Sequence, residues 1–447
     1  MSHDVRENKP TLLRVLTRWD LTAIGVNQVI GSGIFLMPAA VVVLVGNWSP
    51  FFFLAAGFVS LLFALCFAEL GSRFEGTGGP YLHTRAAFGR FPAFQVGWLQ
   101  WFTRASSYAS VANGLVLALG YYAPAMTSGI KRALILTALL GTLATINVRG
   151  IRQSAWTINI LTIGKLLPLG IFITVGLFHM DWSALTPLPA ISWTSASATA
   201  LLLIFAFGGY EVVPVPAGES GAPRRHVPFA LVTTILSVTG IMIAAQIVAM
   251  GTNPNLAGSS TPLADSAFLF MGAAGALLLG GGTIVSIAGN SAGQVLAGSR
   301  TIFALAENGD LPPFFGKIHP RYRTPANAIL FTSAVALVLA ISGSFVWLAI
   351  ASALSRLLTY AASCAAVLVL RHPRFADRAK PATFVIPFGP LVPVLAILVM
   401  AGVIAGVSSD QILAGLAAVA AGTIFYLLKR RKERRSHESS SGSVRHL

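Results

Sequence analysis

The chain has 447 residues, of which 55% are hydrophobic and 10% charged, with a formal net charge of +16. That composition excludes a water-soluble multidomain protein, because its apolar runs reach the roughly 20 residues needed to cross a bilayer. The charge does not indicate nucleic acid either: the basic residues lie in short loops between apolar runs, where they set orientation and meet anionic headgroups.

In chain order, a polar segment (residues 1–19) precedes twelve predicted spans. They lie near 20–45, 51–71, 93–120, 132–148, 155–178 and 195–218, then near 228–250, 276–306, 327–343, 346–370, 388–406 and 411–428. The first span is too long for a signal-peptide core and is expected to be retained. Residues 20–180 and 195–370 form two halves of five spans, each opening on an interrupted helix; an odd number of spans per half makes the second half inverted. Residues 388–428 add two further helices, and 429–447 is a basic, Ser-rich tail whose last part, Ser436 to Leu447, is expected to be disordered. Between spans 7 and 8, Thr252 to Phe270 is read as an outer loop carrying a short helix. Arg14, Arg73, Arg85, Arg149, Arg224, Lys317, Arg371 and the tail fall on one side. The other side has Lys131 and Arg132 with Asp181, Asp265 and Asp410, which predicts an inner-membrane protein with both termini cytoplasmic.

Two interruptions organise this pattern. Val26-Asn27-Gln28-Val29-Ile30-Gly31-Ser32-Gly33-Ile34-Phe35 places two glycines and a serine at mid-depth, and Phe205-Ala206-Phe207-Gly208-Gly209-Tyr210 repeats the feature half a chain later. Backbone that leaves helical geometry in hydrocarbon survives only where it lines a cavity or is packed in protein. A half-helix restarting at Ile34 aims free N–H groups and its positive dipole end at the gap, which suits a carboxylate. The first half of span 6 ends near Phe207 and presents carbonyls, which suit an ammonium. The glycines are also compatible with simple helix packing. Cys66 and Cys364 lie inside spans, so neither a disulfide framework nor a metal-ligand set is expected. No cofactor and no enzymatic activity are expected.

At these residues the chain resembles the amino acid–polyamine–organocation permeases, most of all bacterial relatives of the L-type amino acid transporters. Ile30-Gly31-Ser32-Gly33-Ile34-Phe35 is similar to the family's first-helix motif and Phe205-Ala206-Phe207-Gly208-Gly209-Tyr210 to its sixth-helix motif. Ala68-Glu69-Leu70-Gly71, Gly78-Gly79-Pro80-Tyr81, Trp98 with Arg104-Ala105-Ser106-Ser107, and Asn147 followed by Lys165-Leu166-Leu167 extend the likeness. Pro262-Leu263-Ala264-Asp265 and Ser299-Arg300 through Asp310-Leu311-Pro312 complete it. The resemblance implies an all-α membrane fold of two inverted five-helix repeats (LeuT-like) with broken helices 1 and 6. It further implies that Val29, Ser32, Gly33 and Ile34 hold a substrate carboxylate, that Phe205, Ala206 and Gly208 hold its ammonium, and that Phe205 gates the site.

Charged residues inside the spans carry two readings each. A lysine at the position of Lys165 costs roughly 2.5–3.5 kcal/mol to insert. Either it caps carbonyls of an unwound helix, or it replaces a sodium ion and couples transport to protons, tethering span 5 to the first break near Gly25 and to span 8 near Ser286. Arg104 and Arg356 are read as structural cations hydrogen-bonded to carbonyls or to carboxylates such as Glu69 or Glu211, the alternative being that Arg104 recognises an acidic substrate side chain. Glu211 is a proton-sensitive gate or the partner of a buried cation, and Glu219 is expected to pair with cytoplasmic basic residues. Gly289-Asn290-Ser291-Ala292-Gly293 fits a nucleophile-elbow pattern, but it sits in an apolar helix and is read as a packing face with Asn290 and Ser291 bonding across the bundle. The expected function is secondary active transport of small or neutral L-amino acids, by proton symport or exchange. The rivals are an antiporter of acidic or polar amino acids and a non-transporting sensor. No disulfide-linked ancillary subunit is expected.

Overall fold

The structure is a computed structural model that describes residues 10–31, 33–120, 124–342, 345–406 and 409–443. Its helices are α1 (Arg18–Val29), α2 (Gly33–Val45), α3 (Ser49–Gly71), α4 (Pro80–Phe88), α5 (Arg90–Gly120), α6 (Gly129–Arg149) and α7 (Ile151–Leu177). There follow α8 (Trp193–Ala206), α9 (Pro223–Thr252), α10 (Pro262–Glu307), α11 (Ala326–Ser342), α12 (Phe345–Arg371), α13 (Leu391–Ala405) and α14 (Ser409–Ser443). Among the described residues the β-structure consists of one isolated bridge, Leu16 to Ser220. Seven stretches are long and apolar enough to cross a membrane, from Met37–Gly71 to Ile412–Arg431. Of the other expected spans, α1 is interrupted, α11 and α13 are short, with 17 and 15 residues, and α5 carries Arg104 in its interior.

Local chemistry sets the helix starts. Thr17 and Asp20 form a reciprocal capping box on α1, with the Asp20 amide donating to Thr17 Oγ1 at 3.2 Å and the Thr17 amide donating to Asp20 Oδ2 at 2.8 Å. Proline opens α3, α4, α9 and α10, where its missing N–H costs nothing. The core is turned inside out relative to a soluble protein: Trp156, Ile163 and Phe178 are exposed, whereas Arg104, Lys165, Glu211, Glu219 and Arg300 are buried.

Four features depart from the sequence expectation. The second half of span 6 is not a helix; beyond Ala206 the chain runs through 3-10 turns at Tyr210–Val212 and Ala217–Glu219. Pro214 and Pro216 remove the amide donors that an α-helix there would need. The outer segment departs only in being continuous with span 8: α10 contains the short helix expected there, joined to span 8 across a kink at Gly272, where φ is +65°. The helix α4 interrupts what was read as a loop, and α14 stays helical to Ser443 where disorder was expected.

At one end of the bundle, carboxylates are tied to arginines from other elements. Glu69 of α3 accepts from Arg73 at 3.0 Å, from Arg371 of α12 at 2.8 Å and from the Ile386 amide at 3.0 Å. Asp310 accepts from Tyr81 at 2.6 Å and from Arg85 at 3.2 Å, joining α4 to the end of α10. Glu219 meets Arg300 through two bonds of 2.9 and 3.0 Å. That partner, a basic residue as expected, is buried in α10.

Beside Tyr81, His83 is buried on α4 with its ring 5.0 Å from that of Phe74 and Nδ1 without a hydrogen-bond partner. Burial pushes its pKa down from 6.5 to about 3. Between those values the unfolded chain binds a proton that the folded protein refuses, so stability falls as pH drops below 6.5. At about 1.4 kcal/mol per pH unit, this group alone removes about 2 kcal/mol by pH 5. Melting curves in detergent at pH 7 and pH 5 are expected to show a smaller acid shift for His83→Phe than for wild type; an equal shift would mean that His83 is already protonated or hydrated in the fold.

Candidate functional site

An α-helix that stops in mid-protein leaves its last carbonyls without partners. Here α1 stops at Val29, and side chains from α7 and α10 supply the donors. Lys165 Nζ donates to Asn27 O at 3.1 Å, Ile30 O at 2.7 Å and Ser286 O at 3.3 Å. Ser286 Oγ donates to Ile30 O at 3.2 Å and to Gly31 O at 3.0 Å, and Asn290 Nδ2 donates to Gln28 O at 3.1 Å. The exchange is mutual: Asn27 Nδ2 donates to Gly289 O at 2.6 Å and Gln28 Nε2 to Asn290 O at 2.9 Å. The stop is therefore held open by a polar lattice. On its far side α2 restarts at Gly33, whose first-turn amides have no intrahelical acceptors.

The second interruption lies against the first. At Gly209 φ is +130°, a left-handed region that favours glycine. A Cβ placed there would lie 2.6 Å from Gln28 O and 3.1 Å from Val29 N, so only glycine admits this contact between the end of α1 and the turn after α8. The Gly209 amide donates to Glu211 Oε2 at 2.8 Å, and the Tyr360 hydroxyl of α12 donates to the same oxygen at 2.6 Å. Arg104 of α5 donates to Glu211 Oε1 and, at 3.3 Å, to Gln294 of α10. Arg356 approaches Glu211 Oε1 at 3.5 Å, with its Nη1 packed over Gly208. Buried side chains of α5, α10 and α12 thus converge on the residues that follow the second gap.

The residues expected from sequence are largely brought together. Val29 and Ile34 are buried on either side of the first gap, Gly33 is half-buried, and Ser32 lies outside the described residues. Phe205 and Ala206 form the half-buried end of α8, with Gly208 buried beside them. Lys165 and Ser286 meet the first gap as expected, but at Asn27 and Ile30, a turn beyond Gly25. Glu211 pairs with Arg104 and Arg356; Glu69 does not, being held by Arg73 and Arg371. Asn290 bonds across the bundle as expected, whereas Ser291 Oγ has no hydrogen-bond partner among the described residues. Sequence reasoning missed Asn27, Gln28, Gln294 and Tyr360. A signal existed: Ser286, Asn290 and Gln294 are spaced four apart, a polar stripe along one face of an otherwise apolar helix.

Comparison with known proteins agrees with this geometry. A family profile described as amino acid permease matches residues 16–425. The serine/threonine exchanger SteT of Bacillus subtilis is 30% identical over 83% of this chain and 86% of its own length. The branched-chain amino acid permease BcaP of the same organism is 26% identical over 94% of each chain, and its methylthioribose transporter likewise 26% over 94% of each. An all-helical chain with apolar spans, two glycine-bearing gaps in contact and a profile match over nearly its whole length belongs to the amino acid permease family of integral membrane transporters.

Proposed function

We propose that the chain is a secondary active transporter that binds an L-amino acid between the two gaps and carries it by alternating access. The observation that carries this is the contact of Gly209 with Gln28 and Val29. It brings the two gaps together, which supports a division of labour: the α2 amides at Gly33 and Ile34, with Val29 and Ser32, take the α-carboxylate, and the carbonyls of Phe205, Ala206 and Gly208 take the α-ammonium. Phe205, at the half-buried end of α8, closes over the bound molecule. Twelve spans in two inverted repeats fit the packing. The pairs α3 with α9, α5 with α10 and α6 with α11 each map onto themselves when the two halves are exchanged, and α7 with α10 maps onto α12 with α5. The termini are placed in the cytoplasm by the loop charges.

The gaps fix only the main-chain end of the substrate. A small or neutral side chain is what the names of the serine/threonine exchanger and the branched-chain permease suggest. The former also favours exchange over symport. Counterflow in proteoliposomes, with and without a pH gradient, tests the reading. Uptake of labelled amino acid that requires amino acid inside is the expected result; absence of uptake of every amino acid under all gradients would refute it.

Two variants probe the site. Gly209→Ala forces a Cβ against Gln28 O in a left-handed backbone and is expected to abolish counterflow and lower the melting temperature. Gly170→Ala, where an added Cβ meets nothing within 4 Å, is expected to change neither. Lys165→Ala strips donors from Asn27 O, Ile30 O and Ser286 O, at about 1–3 kcal/mol for each carbonyl left dry. Uptake per folded molecule is expected to fall at least tenfold and to lose any response to a pH gradient. Retention of full, pH-responsive uptake would remove Lys165 from coupling.

A further inference from the structure

Two guanidinium groups share one carboxylate beside the second gap. Arg104 and Glu211 each have side chains only 1% exposed, and Arg356, 16% exposed, faces the same oxygen of Glu211. That carboxylate is already occupied: Oε1 accepts from Arg104, and Oε2 accepts from Tyr360 and from the Gly209 amide. Arg356 reaches it only at 3.5 Å through Nε, which is buried and makes no hydrogen bond with any described residue. No second acid is near in sequence: residues 90–120, 193–206 and 345–371 contain neither aspartate nor glutamate. Elsewhere in the bundle the same chemistry balances, as where Glu219 and Arg300 pair one to one through two bonds. The cluster around Glu211 is left with one positive charge in excess.

The excess sits at a definite place. A Cβ on Gly208 would lie 2.4 Å from Arg356 Nη1 and 3.2 Å from Phe205 O, so the guanidinium lies beside the carbonyls that the transport reading assigns to the α-ammonium. A neutral amino acid would bring its ammonium next to this cation and leave it unneutralised. An amino acid whose side chain carries a carboxylate supplies the missing anion, and guanidinium binds that group through two parallel bonds.

We propose that Arg356 is the specificity-determining residue for the substrate side chain, and that the protein carries an acidic amino acid, aspartate or glutamate, by pairing its side-chain carboxylate with Arg356. This rests on the transport reading above and departs from the small or neutral side chain that the relatives suggest there, assigning an acidic one instead. Arg104 acts as a positioning residue, saturating Glu211 so that Arg356 remains available.

The test is competitive uptake into proteoliposomes of labelled aspartate, glutamate, serine and leucine by wild type, Arg356→Gln and Arg356→Lys, with melting temperature in detergent read for each amino acid. Wild type is expected to prefer aspartate or glutamate over serine and leucine at least tenfold, and to be stabilised by the acidic ligands. The ratio is expected to drop at least tenfold in Arg356→Gln and to be partly restored in Arg356→Lys. A wild type that carries serine or leucine in preference to the acids overturns the proposal while leaving the transport reading intact, whatever the variants do. An acidic preference unchanged in Arg356→Gln overturns the assignment to Arg356. Absence of uptake and of stabilisation by every amino acid removes the transport reading and this proposal with it.

Discussion

Stopping a helix inside a membrane protein creates carbonyls that neither water nor the next turn can satisfy, and the arrangement of this bundle follows from how those groups are met. An ammonium from α7 and a hydroxyl and an amide from α10 replace the missing donors at Asn27, Gln28, Ile30 and Gly31. Each unmet backbone group in such surroundings costs several kcal/mol, so the lattice decides whether α1 can end where it does. It also explains why α10 carries Ser286, Asn290 and Gln294 on one face, and why a lysine is tolerated in the middle of α7.

Once α1 is allowed to stop, the second gap has somewhere to rest. The left-handed turn at Gly209 packs on the last residues of α1 and donates to Glu211, which in turn gathers Arg104 and Tyr360. The two irregular segments are thus coupled through one backbone contact and one carboxylate, and both are free of the regular ladder that would hold a helix rigid. Carboxylate–arginine ties at Glu69, Asp310 and Glu219 join separate elements at one end of the bundle.

The sequence was most informative where physics left few choices. Glycines at 31, 33, 208 and 209 inside apolar runs pointed to irregular backbone, with plain helix packing as the alternative, and the lysine at 165 called for acceptors nearby; Gly209 against Gln28 and Lys165 against Asn27 and Ile30 are the contacts found there. Less was legible where the outcome depended on three-dimensional partners. The 3-10 course from Tyr210 to Glu219 follows from two prolines whose effect was hidden by the apolarity around them. The short outer helix from Pro262 joins span 8 across a kink at Gly272, a junction hidden in the sequence by the apolar residues on both sides of it. The pairing of Glu219 with Arg300 links residues 81 positions apart, a distance no local pattern encodes. The stripe at 286, 290 and 294 was visible in principle, but its meaning depended on knowing that a broken helix lay opposite.

The central claim is that the two gaps clasp opposite charges of one zwitterion. Its most direct measurement is a competition for binding by purified protein in detergent, comparing a transported amino acid with its decarboxylated amine and its deaminated acid. The account predicts that removing either charged group weakens binding at least a hundredfold, because each end loses a full set of backbone partners. Comparable binding of either analogue and the parent amino acid would contradict it, since one gap would then contribute nothing to recognition.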